Sequence, residues 1–260
     1  MPKRLFSLFK EMILTSKNNP LVKETAALKE KKARKELGLF LVEGRKMAIE
    51  CQKSGFDVER VFVAESYAGE NPFDKEITVC VSNDVFRYLS DEKTPQGILC
   101  RVRIPDTSLR APKGRCLLLD GVADPGNVGA ILRTANAAGY SQVYLTQDCA
   151  DPFSPKSVRA SMSGVFFTEI YRAERAEILS VLQEIPIVVA DMGGENVFSF
   201  TPPKAYALVI GNEGNGVSAE VEARATHTVK IPMQPTQESL NAAVSAGIIM
   251  YVLNRDVFTE

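Results

Sequence analysis

"LDGVADPGNVGAILRTANAAG", residues 119–139, runs from a short apolar strand through a loop of Asp, Pro, Gly and Asn into a helix. Two later stretches repeat that order: "ALVIGNEGNGVS" (207–218) and "VKIPMQPTQESLNAAVSAG" (229–247). In an α/β sheet such loops gather at the carboxyl ends of the strands, where ligands bind. Each of the three carries an Asn, Glu or Arg in or next to the loop. A single loop of this kind carries little information. Three in order predict one active site.

Around these stretches, "CLLLD", "QVYLT", "FFTEIY", "IPIVVA", "YALVIG" and "HTVKIP" read as strands separated by helices. Several are continuous apolar runs, the pattern of a mainly parallel sheet covered on both faces. The last helix is expected from Glu238 to Asn254, with Leu240, Ala243, Val244, Gly247, Ile248 and Tyr251 on one stripe. Small residues there admit a second helix at close range, from the same chain or from another subunit.

Within the first loop, residues 124–127 read as a turn and 128–138 as a helix that Asn127 caps, leaving an N-terminus suited to an anion. Arg133 lies almost two turns into this otherwise apolar helix, so it either reaches to the surface or serves a site. The second loop spaces its glycines as GxxGxG (Gly211, Gly214, Gly216), unlike the dinucleotide GxGxxG or the phosphate-binding GxxxxGK[ST]. In the third, Ser239 or Glu238 is the expected helix cap. Ile231, Met233 and Leu240 suit an adenine with a thioether-bearing tail, and equally suit a core.

Upstream, Asn19-Pro20 is a helix start, and the helix is expected to run to a stop at Gly38. It leaves Lys29, Lys31, Lys32, Arg34 and Lys35 free for solvent or phosphate. "LFLVEG", "VERVFVAE", "ITVCVS" and "GILCRVRI" are strands, with helices at 45–54 and after Ser82. The alternation predicts a small α/β domain over 15–104, a polar linker over 105–114, a domain over 115–260 and an extension over 1–14.

Composition narrows the classes. A chain of 260 residues, 45% hydrophobic, has material for substantial cores, and no apolar run is long enough to span a bilayer. The opening "MPKRLFSLFKEMIL" is basic, but Lys10 and Glu11 interrupt its apolar portion, so it does not read as a signal peptide. Met12 is an alternative start. Five scattered cysteines without CxxC spacing read as reduced thiols of a cytoplasmic protein, with no metal site. His227, the sole histidine, falls in a strand and reads as structural, which disfavours chemistry needing a histidine base. The first 60 residues hold 14 Lys and Arg against 8 Asp and Glu, and the other 200 hold 17 against 24. The basic end suits an anionic partner or a solvated helix face.

"DPGNVGAILRTANAAG", "IGNEGNGVS" and "IPMQPTQESLNAAVSA" resemble, in order, the three signature motifs of the SpoU/TrmH family. That family comprises S-adenosylmethionine-dependent RNA ribose 2′-O-methyltransferases of the SPOUT class. "DPFSPKSVRASMSGVFF" (151–167) resembles its connecting segment, and residues from 15 through "TPQGILCRV" resemble the RNA-binding domain that precedes the catalytic domain in many members. The resemblance implies a deep trefoil knot, a rare exception to fold rules, and a homodimer that completes the site across its interface. It implies cofactor contacts at Gly211, Asn212, Ile231, Met233 and Leu240, and a catalytic set of Asn127, Arg133, Glu213, Ser239 and Asn241. Lys31, Lys32, Arg34 and Lys35 are the expected RNA contacts, with rRNA favoured over tRNA.

A guanidinium is hard to deprotonate. Arg133 is therefore expected as an electrostatic clamp rather than a base, with Glu213 and Asn127 organising it. Two rivals stand beside this reading. A dinucleotide-binding oxidoreductase would use Asp148, which ends the next strand, as its ribose-binding acid, but the glycine spacing is wrong for it. A non-catalytic RNA-binding module would show degraded motifs, whereas Arg133, Glu213 and Asn241 are all present.

Overall fold

Asn19 accepts the N–H of Leu21 at 2.9 Å and Pro20 occupies the first turn, so a helix starts where the sequence indicates (α1, Pro20–Ala27). The computed structural model describes residues 13–258, so most of the 1–14 extension, including Met12, lies outside the described residues. The single helix expected up to Gly38 is in fact two. The chain breaks after Ala27 and restarts as α2 (Lys31–Leu37), which stops at Gly38 in the left-handed region.

Arg34 explains the break. Its Nη1 turns back to donate to the carbonyls of Leu28 at 2.8 Å and Lys29 at 2.7 Å. An unbroken helix would give those carbonyls to the amides of residues 32 and 33. Arg34 is therefore 3% exposed and is not available to phosphate, contrary to the sequence expectation. Lys29 is also engaged, donating to the carbonyls of Tyr88 and Ser90. Lys31, Lys32 and Lys35 stay exposed.

The described chain divides into two compact units. One holds residues up to Pro105 together with Phe153–Arg159. Its four strands, β1 (Leu39–Glu43), β2 (Val58–Ala64), β3 (Thr78–Val81) and β4 (Ile98–Arg103), lie in the order β1-β4-β2-β3. Only β2 and β3 run parallel. Helices α3 (Arg45–Lys53) and α4 (Asn83–Leu89) connect them, α4 being capped by Ser82. Arg101, fully buried, joins α1 to this sheet through Glu24 and Thr25 and reaches Glu59 at 2.8 Å.

The other unit holds Asp106–Pro152 and Ala160–Glu260. Its strands are β5 (Cys116–Asp120), β6 (Gln142–Thr146), β7 (Glu169–Ala173), β8 (Ile187–Asn196), β9 (Ala207–Gly211) and β10 (His227–Lys230). They lie in the order β10-β8-β9-β5-β6-β7, and every neighbouring pair is parallel. The order reverses between β5 and β9, the place where α/β sheets open a crevice. Buried apolar strands, among them Leu117–Leu119 and Leu208–Val209, fill the core, as the continuous runs require.

Several boundaries in this unit differ from the sequence reading. Phe166 and Phe167 belong to a helical turn, not a strand, because Gly164 brings that turn onto the backbone of the Arg133 helix. The strand β8 continues through Asn196, past the expected end at Ala190. The last helix starts at Ala242 rather than Glu238, because Asn241 caps it. Residues 105–114 have no regular structure, yet they are bonded to β6 and β7 through the Arg110 carbonyl, the Lys113 amide and the Thr107 carbonyl.

His227 shares a hydrogen bond with Thr226 and packs on Phe200, a structural setting. All five cysteines are free thiols, and burial pushes Cys51 and Cys116 up to about 12. No helix among the described residues is long and apolar enough to cross a membrane.

Arg34→Met keeps most of the buried volume but leaves two helix-end carbonyls without a donor. The expected cost is about 2 kcal/mol or more, read as a lower urea midpoint. Replacing Lys31, Lys32 and Lys35 together with Gln should leave that midpoint unchanged.

Candidate active site at the carboxyl ends of the parallel strands

The helix after the first loop, α5 (Pro125–Ala137), begins three residues before the expected position. Asp124 is its cap, accepting the Asn127 amide at 3.0 Å, and Pro125 fills the first turn. Asn127 is thus not the cap, and its side chain is free for a different task. Its Nδ2 donates to Glu213 Oε1 at 2.8 Å, and its Oδ1 accepts from Asn241 Nδ2 at 3.0 Å.

Glu213 also accepts the amides of Ala123 (3.1 Å) and Asp124 (3.3 Å). Asn241 in turn caps the last helix, α10 (Ala242–Leu253), accepting the amides of Ala243 and Val244. One chain of hydrogen bonds therefore joins the three loops through Glu213, Asn127 and Asn241. Partial burial acts to raise the Glu213 carboxyl, but the bonds from Asn127, Ala123 and Asp124 prevail and hold it below the usual glutamate range. Ser239, an expected helix cap, lies before the helix instead, and its carbonyl accepts from Gln237.

The second loop closes on itself. Asn212 and Gly216 exchange backbone bonds of 2.8 and 3.0 Å, while Asn212 Oδ1 accepts the amides of Gly214 and Asn215. Asn212 Nδ2 donates to the Gly121 carbonyl, tying this loop to the first. A Cβ at Gly211 would lie 2.4 Å from Gly216 C, so only glycine permits the fold-back. Below the loop, buried Asp120 accepts the Ser218 amide at 2.7 Å and Arg175 Nε at 2.6 Å. Arg175 also holds Asp148 at 2.8 Å. Desolvation acts to raise Asp148, but the bonds from Thr146 and Arg175 outweigh it and its carboxyl sits below the ordinary value. The acid that a dinucleotide reading needs for ribose is thus already committed.

The second and third loops line a cleft of about 540 Å³, and the first is bonded to both through Asn127. All five expected cofactor residues line it: Gly211, Asn212, Ile231, Met233 and Leu240. Glu213, Ser239 and Asn241 of the catalytic set line it as well, and Asn127 meets them by hydrogen bonds. Arg133 is exposed on α5 and is not part of the lining. No described residue bonds its guanidinium, so the expected contact with Glu213 and Asn127 is absent. The Glu213 oxygens are already taken by Asn127 and two backbone amides.

The sequence reading missed one wall. Val189 pairs with Thr228 and Glu195 with Val229, so residues 190–194 of β8 have no counterparts on β10. This excursion brings Ala190, Asp191 and Met192 to the cleft, opposite charge being supplied by Lys230. Gly194 closes it, since a Cβ there would lie 2.5 Å from the Thr228 carbonyl carbon. The Gly193-Gly194 pair, two residues beyond the apolar run that ends at Ala190, was the available signal.

The stripe on α10 divides in two. Gly247 faces Thr134 of α5 within the chain, the close approach its size allows. Val244 is 50% and Tyr251 45% exposed, and Tyr251 stacks on Phe258.

Glu213→Gln replaces one acceptor oxygen with a donor facing donors. Amide exchange at Ala123 and Asp124 should accelerate about tenfold or more, the effect of losing one such bond. In the wild type the carboxyl is depressed, so the bonds persist through the ordinary glutamate range near pH 4.3. They are lost only as pH falls through the lower folded value.

Comparison with known proteins agrees with this geometry. Residues 114–251 match the SpoU rRNA Methylase family, and residues 19–100 match the MRM3-like substrate binding domain. The chain is 31% identical to the 23S rRNA (guanosine(2553)-2′-O)-methyltransferase RlmP of Bacillus subtilis, over 92% of this chain and 98% of that one. Among solved structures, an AdoMet-bound rRNA methyltransferase from Sinorhizobium meliloti superposes with a TM-score of 0.85 at 28% identity, covering 95% and 98% of the two chains. The SpoU methyltransferase AviRb from Streptomyces viridochromogenes, in complex with AdoMet, gives 0.81 at 27% identity over 93% and 99%. With its three loops joined at one cleft and its family match spanning more than half its length, the chain belongs to the SpoU rRNA methylase family.

Proposed function

We propose that this protein transfers a methyl group from S-adenosylmethionine to a ribose 2′-hydroxyl of rRNA. The observation that carries the reading is the Glu213–Asn127–Asn241 chain, which ties the first loop to the two loops that line the cleft. The cleft fits the cofactor in size and chemistry: a ligand pocket of this class holds a few hundred Å³ or more, mostly apolar with a few polar groups. Ile231, Met233 and Leu240 offer an apolar bed for adenine, and Gly211 and Asn212 line the cleft beside them for the ribose and its tail. Bound there, the cofactor supplies an electrophilic methyl on sulfonium.

The chain's own residues do the remaining work by placement and charge. Much of the acceleration of an in-line displacement comes from fixing nucleophile and electrophile together. The guanidinium of Arg133, with its fork of donors, holds a phosphate of the RNA and stabilises the developing alkoxide. Glu213, Asn127 and Asn241 keep the loops registered rather than orienting Arg133, since none of them touches it. Ser239 lines the cleft directly before Leu240 in sequence and acts as a polar contact there.

The substrate follows from the first unit. It matches a substrate-binding family, and relatives covering nearly the whole chain are named for rRNA. Lys31, Lys32 and Lys35 present charge to phosphates from α2, while Arg34 contributes only to the fold. We place the protein in the cytoplasm as a homodimer with a trefoil knot. The support is family likeness, the free thiols, and the exposed Val244 and Tyr251 on α10.

Mapping ribose methylation across total RNA from cells with and without the gene should show loss of a single rRNA 2′-O-methyl group. An unchanged map would sink the reading. Arg133→Lys keeps the charge but loses the fork. Methyl transfer should fall about a hundredfold, the loss seen when one transition-state donor is removed. Cofactor affinity should be unchanged, because Arg133 does not line the cleft. The Lys31, Lys32 and Lys35 triple Gln variant should weaken RNA binding and flatten its slope against log salt by up to about 3.

A further inference from the structure

We infer that Asp191 is the residue that recognises the ribose diol of the adenosyl group, on the wall of the cleft supplied by the β8 excursion. This rests on the functional reading above and adds to it a binding residue outside the three loops. Asp191 lies two residues after Val189, where β8 leaves its parallel pairing with β9 and β10. It therefore follows directly on the part of β8 that pairs with β9, the strand that delivers Gly211. An acid just past such a paired stretch is a recurrent partner for the hydroxyls of a bound adenosyl ribose in parallel α/β sheets.

The side chain is set for that task. Asp191 Oδ1 accepts the Gly193 amide at 2.8 Å, which fixes the carboxylate against its own turn. Its second oxygen has no partner among the described residues, and the residue lines the cleft. The geometry of the excursion holds it there, since Gly194 packs on the backbone of Thr228 and Val229.

The cofactor offers four kinds of group to a carboxylate: the diol, the adenine amino group, the sulfonium and the ammonium, and the reading above already seats the adenine on Ile231, Met233 and Leu240. Lys230 lines the same cleft and forms no ion pair among the described residues. A cation there disfavours a second cation nearby and suits the carboxylate of the cofactor's tail. Neutral hydroxyls, which donate to an anion at little electrostatic cost, are the group that fits beside Asp191.

Asp191→Asn tests this cleanly. Its carbonyl oxygen still accepts the Gly193 amide, so the turn is kept, while the free acceptor becomes a donor. Calorimetric titration is run with S-adenosylmethionine and with 5′-methylthioadenosine, which has the diol but neither sulfonium nor ammonium. Both should lose about tenfold in affinity, the effect of one charge-assisted hydrogen bond. Unchanged affinity for both overturns the assignment. Loss for S-adenosylmethionine alone also overturns it, placing Asp191 against the cationic tail. Failure of the wild type to bind S-adenosylmethionine would instead refute the functional reading itself, so the two failures are distinguishable. A thermal unfolding curve matching the wild type confirms that the variant is folded.

Discussion

The Glu213 carboxylate is the constraint from which the site is built. Three donors meet it, two from the backbone of the first loop and one from Asn127, and Asn127 passes the connection on to the cap of α10. None of the three loops has regular structure of its own to hold it near the others. The sheet brings their roots to one edge, and this chain of hydrogen bonds sets their tips. Charge assistance matters here, because neutral bonds between exposed loop tips exchange readily with water. A carboxylate with several donors keeps its charge and its partners together.

The same economy explains why capping differs from the sequence expectation at both helices. Asp124 and Asn241 each accept main-chain amides at a helix start, which is ordinary for Asp and Asn. Giving the first cap to Asp124 frees the Asn127 amide group to face Glu213. Giving the second to Asn241 leaves its Nδ2 to donate to Asn127. At α10 one side chain does both tasks while at α5 two residues divide them, and in each case the helix boundary shifts to suit. Local propensity cannot foresee this, since Ser239 and Glu238 are equally acceptable caps when viewed alone.

What the sequence made legible follows from the range of the forces involved. The parallel sheet was readable because burial on both faces demands continuous apolar runs, and those survive as local pattern. The cleft residues Gly211, Ile231, Met233 and Leu240 were expected from the likeness of the loops to the SpoU/TrmH motifs, since taken singly Ile231, Met233 and Leu240 suit a core as well. The break between α1 and α2 was not, because it depends on a buried arginine reaching back to two carbonyls, and Arg34 looks like its basic neighbours on paper. The β8 excursion was missed for a related reason: its five unpaired residues are defined by a register jump against β10, a relation between distant segments. Only Gly193-Gly194 hinted at it. The absent link between Arg133 and Glu213 is of the same kind, since a carboxylate already supplied with donors gives no sign of it in sequence.

Satisfaction of charge in the catalytic unit separates scaffold from working surface. Asp120, Arg175 and Asp148 form a closed set beneath the second loop, and Arg115 fastens Asp256 after α10. These groups can be spent on the fold because their charges are neutralised where they stand. Arg133 and Lys230 are different: each projects from an ordered element, and no described residue neutralises it. Asp191 retains one free oxygen although its carboxylate is fixed by its own turn. Holding a charged side chain on a rigid element without a partner gains the isolated protein nothing. It is useful when a ligand arrives carrying complementary groups, because the protein then spends little on ordering its side of the contact. A phosphate for Arg133, a carboxylate for Lys230 and a diol for Asp191 would complete what the fold leaves open, and a nucleic acid meeting an adenosyl amino acid brings those three groups together.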